Sequence, residues 1–519
     1  MTAREPRTIA VIGGGVGGLA TAALLAADGH RVTLFEATDA VGGRAGSWER
    51  DGFRFDTGPS WYLMPEVFDH FFRLLGTSAD EQLHLTQLDP GYRAYFEGES
   101  EPFDLPAGRE KARAAFAALD PAAAPAIRRY LDSATEAYRL AVDRFLYSSF
   151  ESIRPYLDGG LARAFPRFAP LLTRTLDAHI ARHTRDARLR RLFGYAAVFL
   201  GGSPMRVPAL YHLMSHLDVE EGVLYPAGGF HEVVRVMADL AREKGAEIRV
   251  SSPVERILVD GGVARGVTYR DADGELRTFD ADLVVAAADL HHVETQLLGD
   301  GERDHDDRFW DRLDMGPGAI IAMLGVRGEL PQLAHHTLLL ADDWDGAFAA
   351  IEGDRLPDTP SLYIGRPSAS DPTVAPEGHE NLFVLIPSPA RASMARGGTD
   401  GDGDAGIETY VDRAIAQIAR WADIPDLAER VIVRRTFTSG DLAGDFNILR
   451  GSMLGPSHTL QQSAFWRAGN RSKRVKNLLF AGSSTIPGIG VPMCLISAEL
   501  VLKRLRGDRT AGPIPIEGA

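Results

Sequence analysis

Gly13, Gly15 and Gly18 stand at the spacing G-x-G-x-x-G, and Glu36 follows 18 residues after the last of them. Glycines so placed between a strand and a helix leave room for a pyrophosphate against the N–H groups of the helix N-terminus. A carboxylate that closes the next strand accepts the hydroxyl hydrogens of a ribose. The spacing therefore predicts a dinucleotide site, and a turn made only for packing would leave Glu36 unexplained. The run "TIAVIGGGVGGLATAALLAADGHRVTLFEA" supplies the elements that must hold these groups: apolar Ile9 to Ile12, then Leu19 to Ala27 at helical spacing, then Val32 to Phe35. That is one βαβ unit.

A second glycine turn, Gly42-Gly43-Arg44, comes just after Glu36. A nicotinamide cofactor asks nothing more of this segment. Extra backbone donors and a fixed guanidinium suit a further grip on the same pyrophosphate, which FAD, lying extended with its flavin far from its adenine, would use. In "FDTGPSW", Phe55 to Trp61, the Gly58-Pro59 turn is expected to bring bare backbone to the flavin. A surface salt bridge is the competing reading for Arg44.

The whole N-terminal run, with these turns, resembles the signature of the flavin-dependent phytoene desaturase (carotenoid desaturase) family, within the wider amine-oxidase-like flavoprotein group. Two further blocks are similar to that family. One is "GVLYPAGGFHEVVRVMADLAREKGAEIRVSSPVERI", where the resemblance implies adenine contact through the backbone of Val254. The other is "NLLFAGSSTIPGIGVPMCLISAELVLKRL", carrying Gly482, Pro487, Gly488, Gly490 and Pro492 in the family's order. Many members of the wider group have an acid after the glycine matching Gly482, and here the position holds Ser483. The helix starting near Val491, with Pro492 and Met493, can still offer N–H donors and a favourable dipole.

The resemblance implies an FAD-dependent desaturase that introduces double bonds into phytoene or a related long polyene and passes electrons to a quinone or oxygen. Such chemistry removes a hydride equivalent and a proton without a protein nucleophile, so a dry cavity matters more than a catalytic triad. The apolar, aromatic stretch Leu192 to Leu217 resembles the family segment on the flavin's substrate side, with core packing as the plainer alternative. His212 and His216, four apart on an expected helix with Glu220 beyond them, are candidate proton acceptors; no second cluster completes a metal site, and none is expected. Cys494 reads as a small buried hydrophobe. Alternatives within the fold are a carotene ketolase or a C30 apocarotenoid desaturase or oxidase. A non-enzymatic alternative is a lipid carrier of the Rab escort and GDP-dissociation-inhibitor type, which full retention of the glycines, Glu36 and Arg44 disfavours. A nicotinamide-dependent dehydrogenase is disfavoured by the second turn.

The 519 residues exceed one ordinary core. The expected fold is α/β, a Rossmann-type FAD-binding domain formed by 1–95, 225–295 and 465–519, interleaved with an α+β substrate domain formed by 96–224 and 296–464. The region from about 108 to 220 reads as helical, 315 to 390 as alternating strand and loop, and Ile407 to Trp421 as a helix. The aspartates 400, 402 and 404 are spaced like a calcium loop, but Ala405 and Val411 occupy its glycine and bidentate positions, so a solvated loop is expected.

A net charge of -15 argues against a nucleic-acid partner. The single cysteine suits a reducing compartment, and the N-terminal apolar run is broken too early for a secretory segment. Between Arg163 and Arg191, eight arginines face two aspartates, with Phe165, Phe168, Leu171, Leu172, Leu176 and Ile180 between them. That composition suits a helix on an anionic membrane surface, or equally a solvated arginine face. The family likeness favours the former, so the expectation is a cytoplasmic protein, peripheral on the inner face of the cell membrane. The sequence leaves the oligomeric state open.

Overall fold

Strands buried on both faces read as continuous apolar runs, and a parallel sheet is where such strands go. Thr8–Ile12 lies at the centre of one, in the order Leu478–Phe480, Leu283–Ala286, Thr8–Ile12, Arg31–Phe35, Glu247–Arg249, with every neighbouring pair parallel. The computed structural model describes residues 5–151, 166 and 168–516. Helix Val16–Ala27 is buried from Val16 through Ala26 and packs between helices Phe230–Glu243 and Val491–Arg506. Its alanines permit that: with no side chain beyond Cβ, two other helices approach closely.

Helix Phe230–Glu243 begins on a carboxylate from elsewhere in the chain. Asp56 accepts from the Phe230 and His231 N–H groups at 2.8 and 3.0 Å. Gly229 must be bare, because a Cβ there would meet Asp56 Oδ2 at 2.3 Å. Burial, against those two bonds, raises the Asp56 pKa to about 6.

Three antiparallel strands, Val254–Asp260, Val263–Arg270 and Leu276–Asp280, cover the sheet beyond Phe35. Gly261 and Gly262 join the first two with φ of +57° and +75°, the positive pair a tight hairpin demands. A second large sheet of seven strands runs Val431–Phe437, Gly318–Arg327, His379–Ser388, Leu362–Gly365, His336–Leu340, Tyr92–Phe96, Phe103–Leu105. Helix Ala405–Trp421 covers one of its faces. The other meets Phe53, Phe55 and the helices Arg109–Leu119, Ala124–Ala141 and Ala187–Tyr195.

The α/β class, with a dinucleotide-type parallel sheet and a second α+β layer, is as expected. Three details differ. Tyr92–Phe96 pairs in the seven-stranded sheet, so the chain has already left the first sheet before residue 95. Trp344–Glu352 is a helix inside a region read as strand and loop, capped by Asp343. The apolar residues among the arginines turn inward: Leu171, Leu176 and Ile180 are buried. Arg163, Phe165 and Arg167 lie outside the described residues. Arg188, Arg190 and Arg191 pair with Asp186, Asp177 and Asp342, leaving Arg174, Arg182 and Arg185 as exposed cations of that stretch. Asp404 caps helix Ala405–Trp421 and Asp400 pairs with Arg50, which accounts for two of the spaced aspartates. Among the described residues no helix is long and apolar enough to cross a membrane.

His335 is buried behind this second sheet, its Nδ1 3.1 Å from Ser370 Oγ. Burial, and then Arg366, pushes its pKa down to about 3. Unfolding returns it to an ordinary histidine near 6.5, so the unfolded chain binds the extra proton between those values. Stability from this site is complete above pH 6.5 and declines as the pH falls. Urea unfolding of His335→Gln should therefore show a stability-pH slope between pH 6.5 and 4 shallower than the parent's by about 1.4 kcal/mol per pH unit; an unaltered slope would mean the ring already carries its proton in the folded chain.

Candidate active site

The first glycine turn is held by backbone bonds that only its glycines allow. Gly13, at φ +98°, donates to Phe35 O at 2.8 Å, and Gly42 donates to Gly14 O at 2.9 Å, fastening the second turn to the first. Each glycine has its own reason. A Cβ on Gly18 would sit 1.9 Å from Gly13 O, and one on Gly17 2.9 Å from Gly482 Cα. On Gly15 it would meet only Gly42 O, at 3.9 Å. Gly15 thus guards open space rather than a contact, as a cradle for a phosphate group requires.

Glu36 closes its strand as expected and is buried. Oε2 accepts from Gly14 N at 2.6 Å, and Oε1 from Thr38 N and Thr38 Oγ1 at 2.9 Å each. Thr38 Oγ1 is also 2.8 Å from Ala40 O. Having one hydrogen, it can turn to that carbonyl, which frees a lone pair on Oε1 in addition to the one left on Oε2. The carboxylate therefore keeps capacity for two hydroxyl hydrogens. Val254 opens its strand beside this corner, where Ser252 N and Ser251 N donate to Glu36 O and Thr38 O at 2.7 Å.

Arg44 borders the cavity beside the glycine turns and makes further bonds across the fold. Its Nη1 donates to Met453 O and Leu454 O at 3.0 Å and its Nη2 to Ser483 Oγ at 2.6 Å. The guanidinium is neither a surface ion pair nor committed to the glycine turn. It ties the N-terminal unit to two C-terminal segments along the cavity wall. Gly43, at φ +54°, finds Gly15 Cα 3.5 Å from its would-be Cβ. Gly58 is required for an unforeseen reason, since its Cβ would fall 2.1 Å from Arg44 O.

The C-terminal block completes the ring. Gly482, at φ +97°, donates to Ser497 Oγ at 3.1 Å. Helix Val491–Arg506 follows Gly490 with no side-chain cap and Pro492 in its first turn, so free N–H groups remain at its start. Of the residues picked out by spacing or resemblance, Gly15, Gly42, Arg44, Gly58, Pro59, Gly482, Ser483, Pro492 and Met493 border one cavity of ≈ 800 Å³. Gly13, Gly18, Glu36, Gly43 and Val254 stand outside its lining. Cys494 borders the cavity too, and burial pushes its thiol up to about 11, so it stays neutral.

From these segments the cavity passes beneath the seven-stranded sheet to helix Trp344–Glu352, between Trp61, Tyr195, Phe199, Phe348 and Leu385. The stretch Leu192 to Leu217 supplies much of this wall, as the resemblance implied. His212 and His216 do not. His212 Nε2 lies 3.0 Å from Ser133 Oγ, and His216 Nδ1 3.1 Å from Thr135 Oγ1, so both rings point into the helical layer behind the cavity. Glu220 pairs with Arg109 and Arg113. The irregular turns between 209 and 221 explain the misreading, because i, i+4 spacing puts two rings on a common cavity face only in a regular helix.

Two residues were missed. His458 is the histidine bordering the cavity among the described residues. Its Nε2 accepts from Ile489 N at 3.3 Å, so Nδ1 carries the hydrogen towards Tyr211 Oη, 2.7 Å away, and burial keeps the ring neutral. Arg467 is buried with no carboxylate partner among the described residues and donates to the carbonyls of Pro456, Gln462, Ser483 and Thr485 at 2.9 to 3.2 Å. Burial lowers its pKa to about 10, leaving it charged at neutral pH. A single arginine or histidine in a loop gives no spacing signal.

With the geometry in place, comparison with known proteins is decisive for the family. The model of flavin containing amine oxidoreductases matches residues 16–501. The chain is 39% identical over 501 residues to the carotenoid 3,4-desaturase of Haloarcula japonica, spanning 96% of this chain and 98% of that protein. It is 36% identical over 532 residues to the zeta-carotene-forming phytoene desaturase of Myxococcus xanthus, spanning 99% and 98%. Among solved structures, putrescine oxidase bound to putrescine aligns with a TM-score of 0.62 at 16% identity, over 97% of this chain and 99% of that one. Rab GDI from Plasmodium falciparum aligns at 0.54 and 11%, over 97% and 99%. These two share the fold. The chain belongs to the flavin containing amine oxidoreductase family and is an oxidoreductase whose cofactor is FAD.

The glycines separate cofactor room from packing. Gly15→Val should fold, because its branch enters open space, yet purify without flavin colour; Gly18→Val should fail to accumulate as folded protein at all, its side chain meeting Gly13 O. Flavin-to-protein absorbance ratios and circular dichroism distinguish the two, and a yellow Gly15→Val protein would remove the cradle assignment. Cys494→Ala should keep its flavin, which acid precipitation should release into the supernatant.

Proposed function

We propose that this flavoenzyme is a carotenoid desaturase, introducing double bonds into phytoene or a related long polyene. The observation that carries the reading is the cavity: apolar and aromatic, long enough to pass from the cofactor segments to helix Trp344–Glu352, and bordered by neutral His458 rather than by a charged base or nucleophile. The identities to the two desaturases over nearly the whole chain support it.

Gly13 and Gly18 shape the first turn. Gly15, Gly42 and Gly43 would admit the pyrophosphate of FAD, Glu36 would take the ribose hydroxyls, and Val254 would lie at the adenine end. Ser483 and the helix start at Pro492 and Met493 would supply neutral hydrogen-bonding groups where relatives have an acid, and Gly58 and Pro59 would border the flavin. FAD, when bound, supplies the acceptor for the hydride equivalent that leaves carbon. The chain's own contribution is to align the polyene, exclude water and keep competing charge out of the cavity. The hydrogen-bonded Nδ1–H of His458 towards Tyr211 fixes that ring, so it offers no free basic nitrogen in this arrangement. The sheets and covering helices divide into an FAD-binding unit and a substrate unit. Electrons pass onward to a quinone or oxygen, and the protein works as a peripheral protein on the inner face of the cell membrane, where a polyene dissolves.

A second reading concerns the position of the new double bond. The similarity to a carotenoid 3,4-desaturase favours a more unsaturated carotene over phytoene. Purified holoprotein mixed anaerobically with each polyene in detergent should bleach its visible flavin absorption, and the product should absorb at longer wavelength than the polyene supplied. The polyene that bleaches fastest identifies the substrate; flavin that stays oxidised with every carotene would refute desaturation.

A further inference from the structure

Scattered exposed apolar side chains are ordinary, whereas several gathered at one opening call for an occupant. Six large hydrophobic residues are exposed among the described residues, and Val250, Leu276 and Ile432 stand apart on separate strands or turns. The other three, Leu460, Phe465 and Trp466, fall within seven residues, are 39%, 48% and 66% exposed, and all border the cavity. They form the rim at which its interior surface continues onto the outside of the protein. Phe150, also bordering the cavity, packs edge-on against Phe465 with ring centroids 4.8 Å apart.

This rim is held rigidly. Arg467, next to Trp466, clamps it from behind through the carbonyls of Pro456, Gln462, Ser483 and Thr485. Ser463 Oγ donates to Thr459 O at 2.8 Å and lies 3.0 Å from Tyr211 Oη. Ala464 is held at φ +51°, a conformation costly for alanine, in the turn that turns Trp466 outward. Trp466 also borders a second hollow whose lining holds Arg308 and Arg312 together with Asp289 and Asp306, so charges of both signs flank the aromatic rim.

We propose that Leu460 to Trp466 is a lip that inserts into the outer few ångströms of a lipid bilayer and through which the apolar substrate passes between membrane and cavity. The proposal rests on the polyene reading of the site. Tryptophan and other large apolar side chains exposed beside polar groups are the ones that settle at a lipid headgroup boundary. Continuity of the rim with the cavity lining means that a molecule crossing it never meets water. Three large side chains are too few to fill one side of a standard protein interface of about 800 Å² per partner, which disfavours a second copy as the occupant. Within the arginine-rich stretch up to Arg191, Leu171, Leu176 and Ile180 are buried, whereas Phe168 and Leu172 are half-buried and border the same cavity.

The test uses holoprotein, the double variant Leu460→Ala/Trp466→Ala and the conservative Trp466→Phe. All are sedimented with vesicles of phosphatidylcholine and phosphatidylglycerol, and their turnover is compared with polyene in vesicles and in detergent micelles. The double variant should keep its flavin, partition about tenfold or more weaker into vesicles, and lose about tenfold more turnover in vesicles than in micelles. Trp466→Phe should stay close to the parent. Undiminished pelleting of the double variant overturns the lip, as does equal loss of turnover in both media, or a parent dimer that the double variant dissolves. Parent protein that pellets through the lip but converts no polyene in either medium would leave the membrane surface standing while removing the polyene reading.

Discussion

Backbone must lie against backbone at the centre of this molecule, and the rest of the structure follows from that. Helix Val16–Ala27 can start where it does only because Gly17 rests on Gly482: a Cβ on Gly17 would lie 2.9 Å from Gly482 Cα, closer than a side-chain carbon can approach. The two are 465 positions apart (482 minus 17), so this contact holds the N-terminal βαβ unit to the last strand and helix of the chain. Gly58 against Arg44 O repeats the device on the other side. Where two main chains touch, their N–H groups line a narrow trough free of side chains, and an extended anionic cofactor fits a trough better than a bowl. The alanines of "LATAALLAA" serve the same end from behind, letting two helices press on the first.

Closing such a trough at its far side brings the chain's least comfortable residue into play. Arg467 is charged, buried and without a counter-charge among the described residues, a state that costs several kcal/mol when nothing compensates it. Its compensation is four carbonyl oxygens from segments that would otherwise have orphaned acceptors. Arg44 does likewise with Met453, Leu454 and Ser483. Both cations therefore act as cross-links between irregular loops, which lack the ladder bonds that a strand or helix would supply. Irregular backbone is what permits a cavity wall to follow an extended apolar ligand, and these two side chains make that irregularity rigid.

The contrast between what could and could not be read from the amino acids has the same origin. The βαβ unit and helix Ala405–Trp421 were legible because each is local: a period or a cap within a few residues decides it. The open space at Gly15 and the place of Glu36 beside Gly14 were legible because spacing along one βαβ unit fixes distance in space. Gly58 was noticed as a flavin neighbour, while its second constraint, the carbonyl of Arg44, lies across a hairpin that spacing does not describe. His212 and His216 misled because helical spacing was assumed through a stretch that changes its turn type twice. Arg467 and His458 gave no signal, their meaning being fixed entirely by loops that meet only in the fold. Likewise Leu171, Leu176 and Ile180 read as a membrane stripe until burial showed which way they face.

An active site built in this manner discriminates by shape. With carbon and hydrogen on both sides of nearly every contact, each methylene of substrate gained or lost is worth about 1 to 3 kcal/mol, and no buried polar group rejects a near relative outright. Position along the tunnel then decides which bond meets the flavin, and position is set by where an end of the polyene stops. Helix Trp344–Glu352, with Trp344 and Phe348 facing the cavity, forms such a stop beneath the seven-stranded sheet. A one-residue change there lies far from the glycines and Ser483 at the cofactor end of the cavity. That separation keeps the glycine trough and the far wall on different segments, so one can vary in sequence while the other is held.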